Sequence, residues 1–351
     1  MNTDIQQILK NIAKQPSTDK ALEDVRQRID QLTMPPRAMG SALDLAEELT
    51  CAAGELSQFQ KSHIFLFAGE HGVTEEGVSA FPAEVTRQMV LNFVQGGAAI
   101  NQLSQSVGAN LTVVNMATAG EYPEHAQLVD CPVAKGSANL LKESALEQSA
   151  MEKAILLGAQ LAVESINQGT QIIACGEMGI GNTTVSSCLC HVLTGCSIED
   201  AVGAGTGLDD AGRQRKKEVV KKAIKRVSPK EPLEILKEWG GYEFAGIIGV
   251  ILACAQHRVP FVLDGFNVTA AAAVAKVLAP RSVEVMIASH QGAEPGHKIL
   301  LKFLDKKAYL HWGLRLGEGS GAALMLPLCQ AAARMVKDMA TFEEAAVSSK
   351  K

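Results

Sequence analysis

Aromatic residues supply only 4% of the chain's 351 residues. No apolar run reaches the roughly 20 residues that a bilayer-spanning helix needs; the longest lies at Phe244 to Gln256. The polar N-terminus lacks the apolar core of a signal peptide. Basic charge is short as well. The 33 Lys and Arg against 38 Asp and Glu leave a net charge of −5, so nothing draws the chain generally toward nucleic acid or anionic lipid. CxxC, HxxxH, HExxH and GxxxxGK spacings are all missing, which removes the common zinc-site and P-loop signatures. The eight cysteines have apolar neighbours and no disulfide-framework spacing, a reduced pattern that points to the cytoplasm. What remains, 47% hydrophobic and 20% charged, is globular rather than disordered. The length suits one large domain, alone or with a smaller partner. Glycine is the excess: 31 residues, above the usual ~7%.

Six short apolar runs have strand length: residues 63–68, 111–115, 171–175, 260–264, 283–289 and 308–313. Helical patterns lie between them, over Ala83–Ser106, Ser144–Asn167, Thr183–Leu193, Gly212–Arg226, Tyr242–Ala255 and Thr269–Leu278. Continuously apolar strands alternating with helices predict an α/β fold, a six-stranded parallel sheet covered on both faces. Residues 1–60, broken at Pro35 and Pro36, read as helical without strands, as does the stretch from Ser320. The expected division is therefore an α/β domain over 61–319 and a small helical domain built from 1–60 and 320–351.

The glycines gather in the loops after these strands, which read AGEHGVTEEGVSAFP, NMATAG, CGEMGIGNTT, DGFN, SHQGAEPGH and GLRLGEGSG. In an open parallel sheet such loops share one rim, where ligands bind. CGEMGIGNTTVSS runs strand, glycine loop, helix, with the helix starting near Asn182 or Thr183. Its exposed N–H groups and positive dipole end suit an anion. VGAGTGLDD carries Gly203, Gly205 and Gly207 ahead of Asp209, a helix cap, with Lys216 and Lys217 following to add positive charge near a phosphate. LRLGEGSGAAL has the GxGxxA register of a dinucleotide fingerprint, but no further strand follows it. Its Glu318 stands between glycines, open to a flat ligand; burial there would raise its pKa and suit it to general-base work. Cys188, Cys190, His191 and Cys196 read as one buried helix rather than a metal site. His71, His290 and His297 share loops with Glu75, Glu76, Glu84 and Glu294 without metal-ligand spacing, so no metal is expected.

FAGEHGVTEEGVSAFP, NFVQGGAAIN, ACGEMGIGNTT, VGAGTGLDD, LDGFNVTAAA, ASHQGAEPGH and LRLGEGSGAA occur in this order. Together they resemble the nicotinate-nucleotide:dimethylbenzimidazole phosphoribosyltransferase family, from about Pro35 to Met335. The resemblance implies transfer of phosphoribosyl from nicotinate mononucleotide to 5,6-dimethylbenzimidazole, giving α-ribazole 5′-phosphate and nicotinate with inversion at the anomeric carbon. It also implies a Rossmann-like domain, a homodimer, a place in cobalamin lower-ligand assembly, and no metal or organic cofactor. Carried over by motif, Glu318 is the base and Glu177 a second carboxylate. Phe81, Met178 and Leu316 line the slot for the ring, with Ser79 and Gln88 at its edge. Gly179, Gly181, Asn182 and Thr183 hold phosphate with Lys216; Gly203 and Gly205 close over the nucleotide, and Asp264, Gly265 and Phe266 lie beneath it. Glu70 replaces an expected Asp, and Gly292 an expected Ser. Two other readings stay open: a nicotinamide-dependent oxidoreductase using GEGSGA, and a nucleotide-binding regulatory module.

Overall fold

The computed structural model describes residues 1–348; the last three residues of the expected 320–351 segment lie outside them. Six strands form one parallel sheet: β1 (Ser62–Gly69), β2 (Asn110–Ala117), β3 (Leu128–Asp130), β4 (Ile172–Met178), β5 (Phe261–Leu263) and β6 (Met286–Ala288). Their order is β3-β2-β1-β4-β5-β6. The chain winds outward in one direction from β1 to β3 and in the other from β4 to β6. Loops leaving β1 and β4 therefore diverge and open a crevice between them. That switch point fixes where a ligand can enter.

Side chains alternate across the sheet as the pleat requires. Ile64, Leu66 and Ala68 of β1 enter one apolar layer, and Phe65 and Phe67 enter the other. Helices cover both layers: α1 (Thr3–Ala13), α2 (Asp19–Gln31), α3 (Ser41–Ala53), α4 (Glu84–Val94), α5 (Ala99–Ser106), α6 (Gln148–Asn167) and α7 (Asn182–Thr194). The rest are α8 (Ile198–Ala201), α9 (Asp210–Arg226), α10 (Pro232–Trp239), α11 (Tyr242–His257), α12 (Phe266–Leu278), α13 (Pro295–Leu304) and α14 (Ser320–Asp338). The layer holding Phe65 and Phe67 is closed by α6, α7, α11 and α12. The other is closed by α3, α4, α5 and α14. The chain ends divide between them. Arg28 of α2 donates to the backbone carbonyls of Val336, Lys337 and Met339 at the end of α14, whereas α1 packs on α11 and Gln15 donates to Gln256 O.

Three sequence expectations change in detail. The run at 308–313 makes only an isolated bridge, Leu310 to His290; Gly313 turns the chain (φ +68) and Trp312 faces solvent. The sixth strand is instead β3, three residues pairing with β2. The helical pattern over 83–106 is two helices, because Gly96 takes a left-handed turn (φ +78) that a helix cannot continue through.

Some glycines serve packing rather than the rim. On α6, a Cβ at Gly158 would stand 2.0 Å from Gly246 O, and on α11 one at Gly249 would stand 1.9 Å from Ile155 O. The two helices touch backbone to backbone there. Alanine normally gains ~1 kcal/mol over glycine inside a helix. Gly249→Ala should nevertheless destabilise the protein by about 1–3 kcal/mol, since the helices must separate. A lower urea midpoint with unchanged slope would register this; an unchanged or higher midpoint would refute it.

Candidate active site

A cavity of about 420 Å³ opens at the β1/β4 switch point, a size that suits a small-molecule ligand. Its apolar wall is Phe81, Val85, Met89, Met178, Leu314 and Leu316. Its polar groups include Glu177, Asn182, Thr183, His290, Glu294, Arg315 and Glu318. Phe81 and Leu316 are more than half exposed and stand at the mouth.

Glu318 is held in a conformation that few residues adopt. Gly317, Glu318 and Gly319 all have positive φ (+79, +61 and +82), and such backbone costs a non-glycine residue about 1–3 kcal/mol. Two neighbours enforce it. Gly176 of β4 lacks the Cβ that would stand 2.4 Å from the Glu318 carbonyl carbon, so the turn lies directly on the strand. Asp264, buried at the end of β5, accepts N–H bonds from Gly319 (3.2 Å), Gly321 (2.8 Å) and Ala322 (3.0 Å). Asp264 thus caps α14 and aims Glu318. It was expected beneath a nucleotide; it lies outside the cavity lining, because its carboxylate is committed to these three backbone donors.

Burial, reinforced by the charge of Asp264, raises the Glu318 carboxyl to about 7. It is poised to exchange a proton at neutral pH. Burial also pushes Glu177 well above the usual carboxyl range, with further push from Asp264, Glu243 and Glu318, while the Asn267 side chain opposes it. Asn182 donates to its Oε2. A Cβ on Gly317 would stand 2.6 Å from Glu177 Oε1, so the two carboxyl groups share one wall of the cavity.

At the start of α7 the cap position belongs to Gly181 (φ +95), while the Asn182 side chain turns to Glu177. Ile180 N donates to Thr86 Oγ1, Asn182 N to Gly179 O and Thr184 N to Gly181 O. That leaves the N–H groups of Gly181 and Thr183 for an anion. Lys216 of α9 is fully buried and donates to Thr183 Oγ1 at 2.7 Å. Burial lowers its pKa to about 8, although Glu294 pulls the other way. Gly179 has a packing reason of its own. A Cβ there would meet Gly69 O at 2.4 Å and His71 Nε2 at 2.8 Å, and His71 Nε2 forms a buried pair with Glu243 Oε1 at 2.5 Å.

The cavity brings together Phe81, Met178, Leu316, Glu177, Glu318, Gly179, Asn182, Thr183, Gly205, Gly265 and Phe266, all expected from the sequence. Others lie just outside the lining. Gly181 packs against Thr74, Val73 and His71, Lys216 stands behind Thr183, and Gly203 lies against Glu294. Ser79 hydrogen-bonds Thr206 (3.0 Å), which does line the cavity. Gln88 is exposed on α4; the residues facing inward there are Val85 and Met89. Val85 and Met89 stand four residues apart on one face of α4, and that spacing was the signal for them.

The phosphoribosyltransferase family model matches residues 14–347. The nicotinate-nucleotide–dimethylbenzimidazole phosphoribosyltransferase of Chloroflexus aggregans is 43% identical over 339 residues, 96% of either chain. That of Desulforudis audaxviator is 42% identical over the same share. The crystal structure of CobT from Thermus thermophilus superposes with a TM-score of 0.91 at 42% identity, covering 94% of this chain and 100% of that one. The chain belongs to the nicotinate-nucleotide–dimethylbenzimidazole phosphoribosyltransferase family. Within this phosphoribosyltransferase frame, Gly292 has a local explanation. His297 Nδ1 accepts the Gly292 N–H at 2.9 Å, which leaves Nε2 to donate to Thr269 Oγ1 (3.1 Å). Burial, with the charge of His290, depresses His297 to about 3 and keeps it neutral. A Cβ on residue 292 would stand 2.9 Å from that Nδ1, so a serine would crowd the imidazole. Glu70, the other departure, lies outside the cavity lining. Among the described residues no helix is long and apolar enough to cross a membrane, and no three His, Cys, Asp or Glu are grouped to hold a metal ion.

Proposed function

We infer that the chain transfers phosphoribosyl from nicotinate mononucleotide to 5,6-dimethylbenzimidazole, releasing nicotinate and α-ribazole 5′-phosphate. The observation that carries this is Glu318: a carboxyl raised to about 7, at the meeting of an apolar wall and an anion-accepting corner. One nitrogen of a benzimidazole attacks C1′ while its other nitrogen gives its proton to Glu318. Nicotinate departs from the opposite face, so the anomeric carbon inverts. Glu177, whose charged form burial disfavours, is a second carboxyl beside the ring and ribose, held by the Asn182 side chain. Phe81, Val85, Met89, Met178 and Leu316 sandwich the ring, with Ser79 acting through Thr206. The phosphate lies on the Gly181 and Thr183 N–H groups beside Lys216, under Gly203 and Gly205, with Gly265 and Phe266 flooring the nucleotide.

The same reading takes the enzyme as a cytoplasmic homodimer serving cobalamin lower-ligand synthesis; the exposed apolar Phe81, Trp312 and Leu316 support a covered rim. It also keeps the division near residues 60 and 319, supported by the contacts of α2 and α3 with α14, while α1 lies apart from them on α11.

The direct test is to incubate the purified protein with both substrates and follow nicotinate and α-ribazole phosphate by chromatography. Both products should appear in equal amounts; binding without nicotinate release would leave only a nucleotide-binding module. Lys216→Met should weaken nicotinate mononucleotide binding about 10- to 100-fold, the loss of a charge-assisted phosphate contact, while leaving dimethylbenzimidazole affinity unchanged in calorimetry.

A further inference from the structure

The phosphate corner already contains an anion. Glu294, at the cap position of α13, accepts the Gly205 N–H through Oε1 at 2.8 Å. Its Oε2 is buried and has no hydrogen-bond partner. It lies so close to Gly203 that a Cβ there would stand 2.1 Å from it. Gly205 in turn sits against the buried cation, since its own Cβ would be 2.9 Å from Thr183 Oγ1 and 3.3 Å from Lys216 Nζ. The Glu294 charge is felt at Lys216, where it opposes the effect of burial. One carboxylate therefore holds a glycine-loop N–H that a phosphate would use, on a loop that itself lies against the Thr183 hydroxyl and the Lys216 ammonium.

A phosphate dianion and an ionised Glu294 compete for the same Lys216 ammonium. The second oxygen of Glu294 gains no hydrogen bond for its burial, so its hold is incomplete and reversible. We propose that Glu294 is a built-in competitor of the substrate phosphate, latching the Gly203–Gly207 loop in the empty enzyme and yielding the corner when the nucleotide arrives. The proposal rests on the phosphate placement above. It assigns Glu294 a direct part in nucleotide affinity, with an anionic phosphate monoester as the class of ligand that displaces it. Gly203 and Gly205 then have a second reason to be glycine, because the latch needs the carboxylate against bare backbone.

Glu294→Gln separates charge from shape. Its amide oxygen can still accept the Gly205 N–H, but nothing repels phosphate. Calorimetric titration should show nicotinate mononucleotide and inorganic phosphate each binding about fivefold more tightly than to wild type, from removal of one like charge in a partly buried site. Nicotinate riboside, which has no phosphate, should bind equally to both proteins. Glu294→Ala should in addition speed amide exchange at Gly205 in the empty enzyme, with protection returning on addition of the nucleotide. Unchanged phosphate affinity in Glu294→Gln overturns the latch. So does weakened binding of both the nucleotide and the riboside, which would make Glu294 a ribose ligand. If wild type binds the riboside but gains nothing from the phosphate, the placement of the phosphate fails first, and the latch with it.

Discussion

Glu318→Gln should bind nicotinate mononucleotide like wild type yet turn over about 10²–10⁴-fold more slowly, the usual worth of a positioned general base. The same substitution should reverse a pH-dependent loss of stability. The carboxyl ionises near 4.5 when unperturbed and near 7 in the fold. Between those values the folded state binds more protons than the unfolded one, so stability falls as pH rises through this window, and the full cost is present above it. Discounting for solvent screening, that cost is about 1–3 kcal/mol. The glutamine variant has no such titration. Its stability relative to wild type should therefore climb between pH 4.5 and 7.5 in paired urea melts, while wild-type kcat/KM falls with unit slope below about pH 7. A stability difference that is flat with pH would show that Glu318 is not held in its neutral form. Wild-type turnover in the variant would remove it as the base.

Much of this was readable in the residues because chemistry and spacing agreed. β1 and β4 are continuously apolar, so a doubly covered parallel sheet was the only arrangement that buried them. GEGSG and CGEMGIGNTT put a carboxyl and a helix start beside glycines at strand ends, and the switch-point rule placed both on one rim. What stayed hidden depends on distance through space. Asp264 looked like a ligand contact because it ends a strand; only the fold reveals three backbone donors converging on it from 55 to 58 residues away. Gln88 came from the motif resemblance; on α4 the spacing from Val85 puts Met89, not Gln88, on the inward face. β3 escaped notice because three residues give no period. Gly158 and Gly249 read as ordinary helix positions, since their purpose is the backbone of the other helix.

Asp264→Asn should be the most damaging change outside the cavity. The carboxylate offers two acceptor oxygens to three N–H groups, Oδ1 to Gly321 and Ala322 and Oδ2 to Gly319; an amide offers one and turns an NH₂ toward at least one donor. Leaving a buried donor facing a donor predicts a loss of about 2–4 kcal/mol in stability. The chemistry should suffer by two separable routes. Without its cap the Gly317–Gly319 turn relaxes from its left-handed backbone, and a base displaced by about an ångström loses about 10²-fold in kcat. The charge of Asp264 is also the second cause, after burial, of the raised Glu318 carboxyl. With that charge gone, the acid limb of kcat/KM should move below its wild-type position. A variant that was merely less stable would lose activity in proportion to its unfolded fraction and keep the limb where it was. Measured well below the melting temperature, with nucleotide affinity followed separately, an unmoved limb and an unchanged kcat would show that Asp264 holds α14 without holding the base.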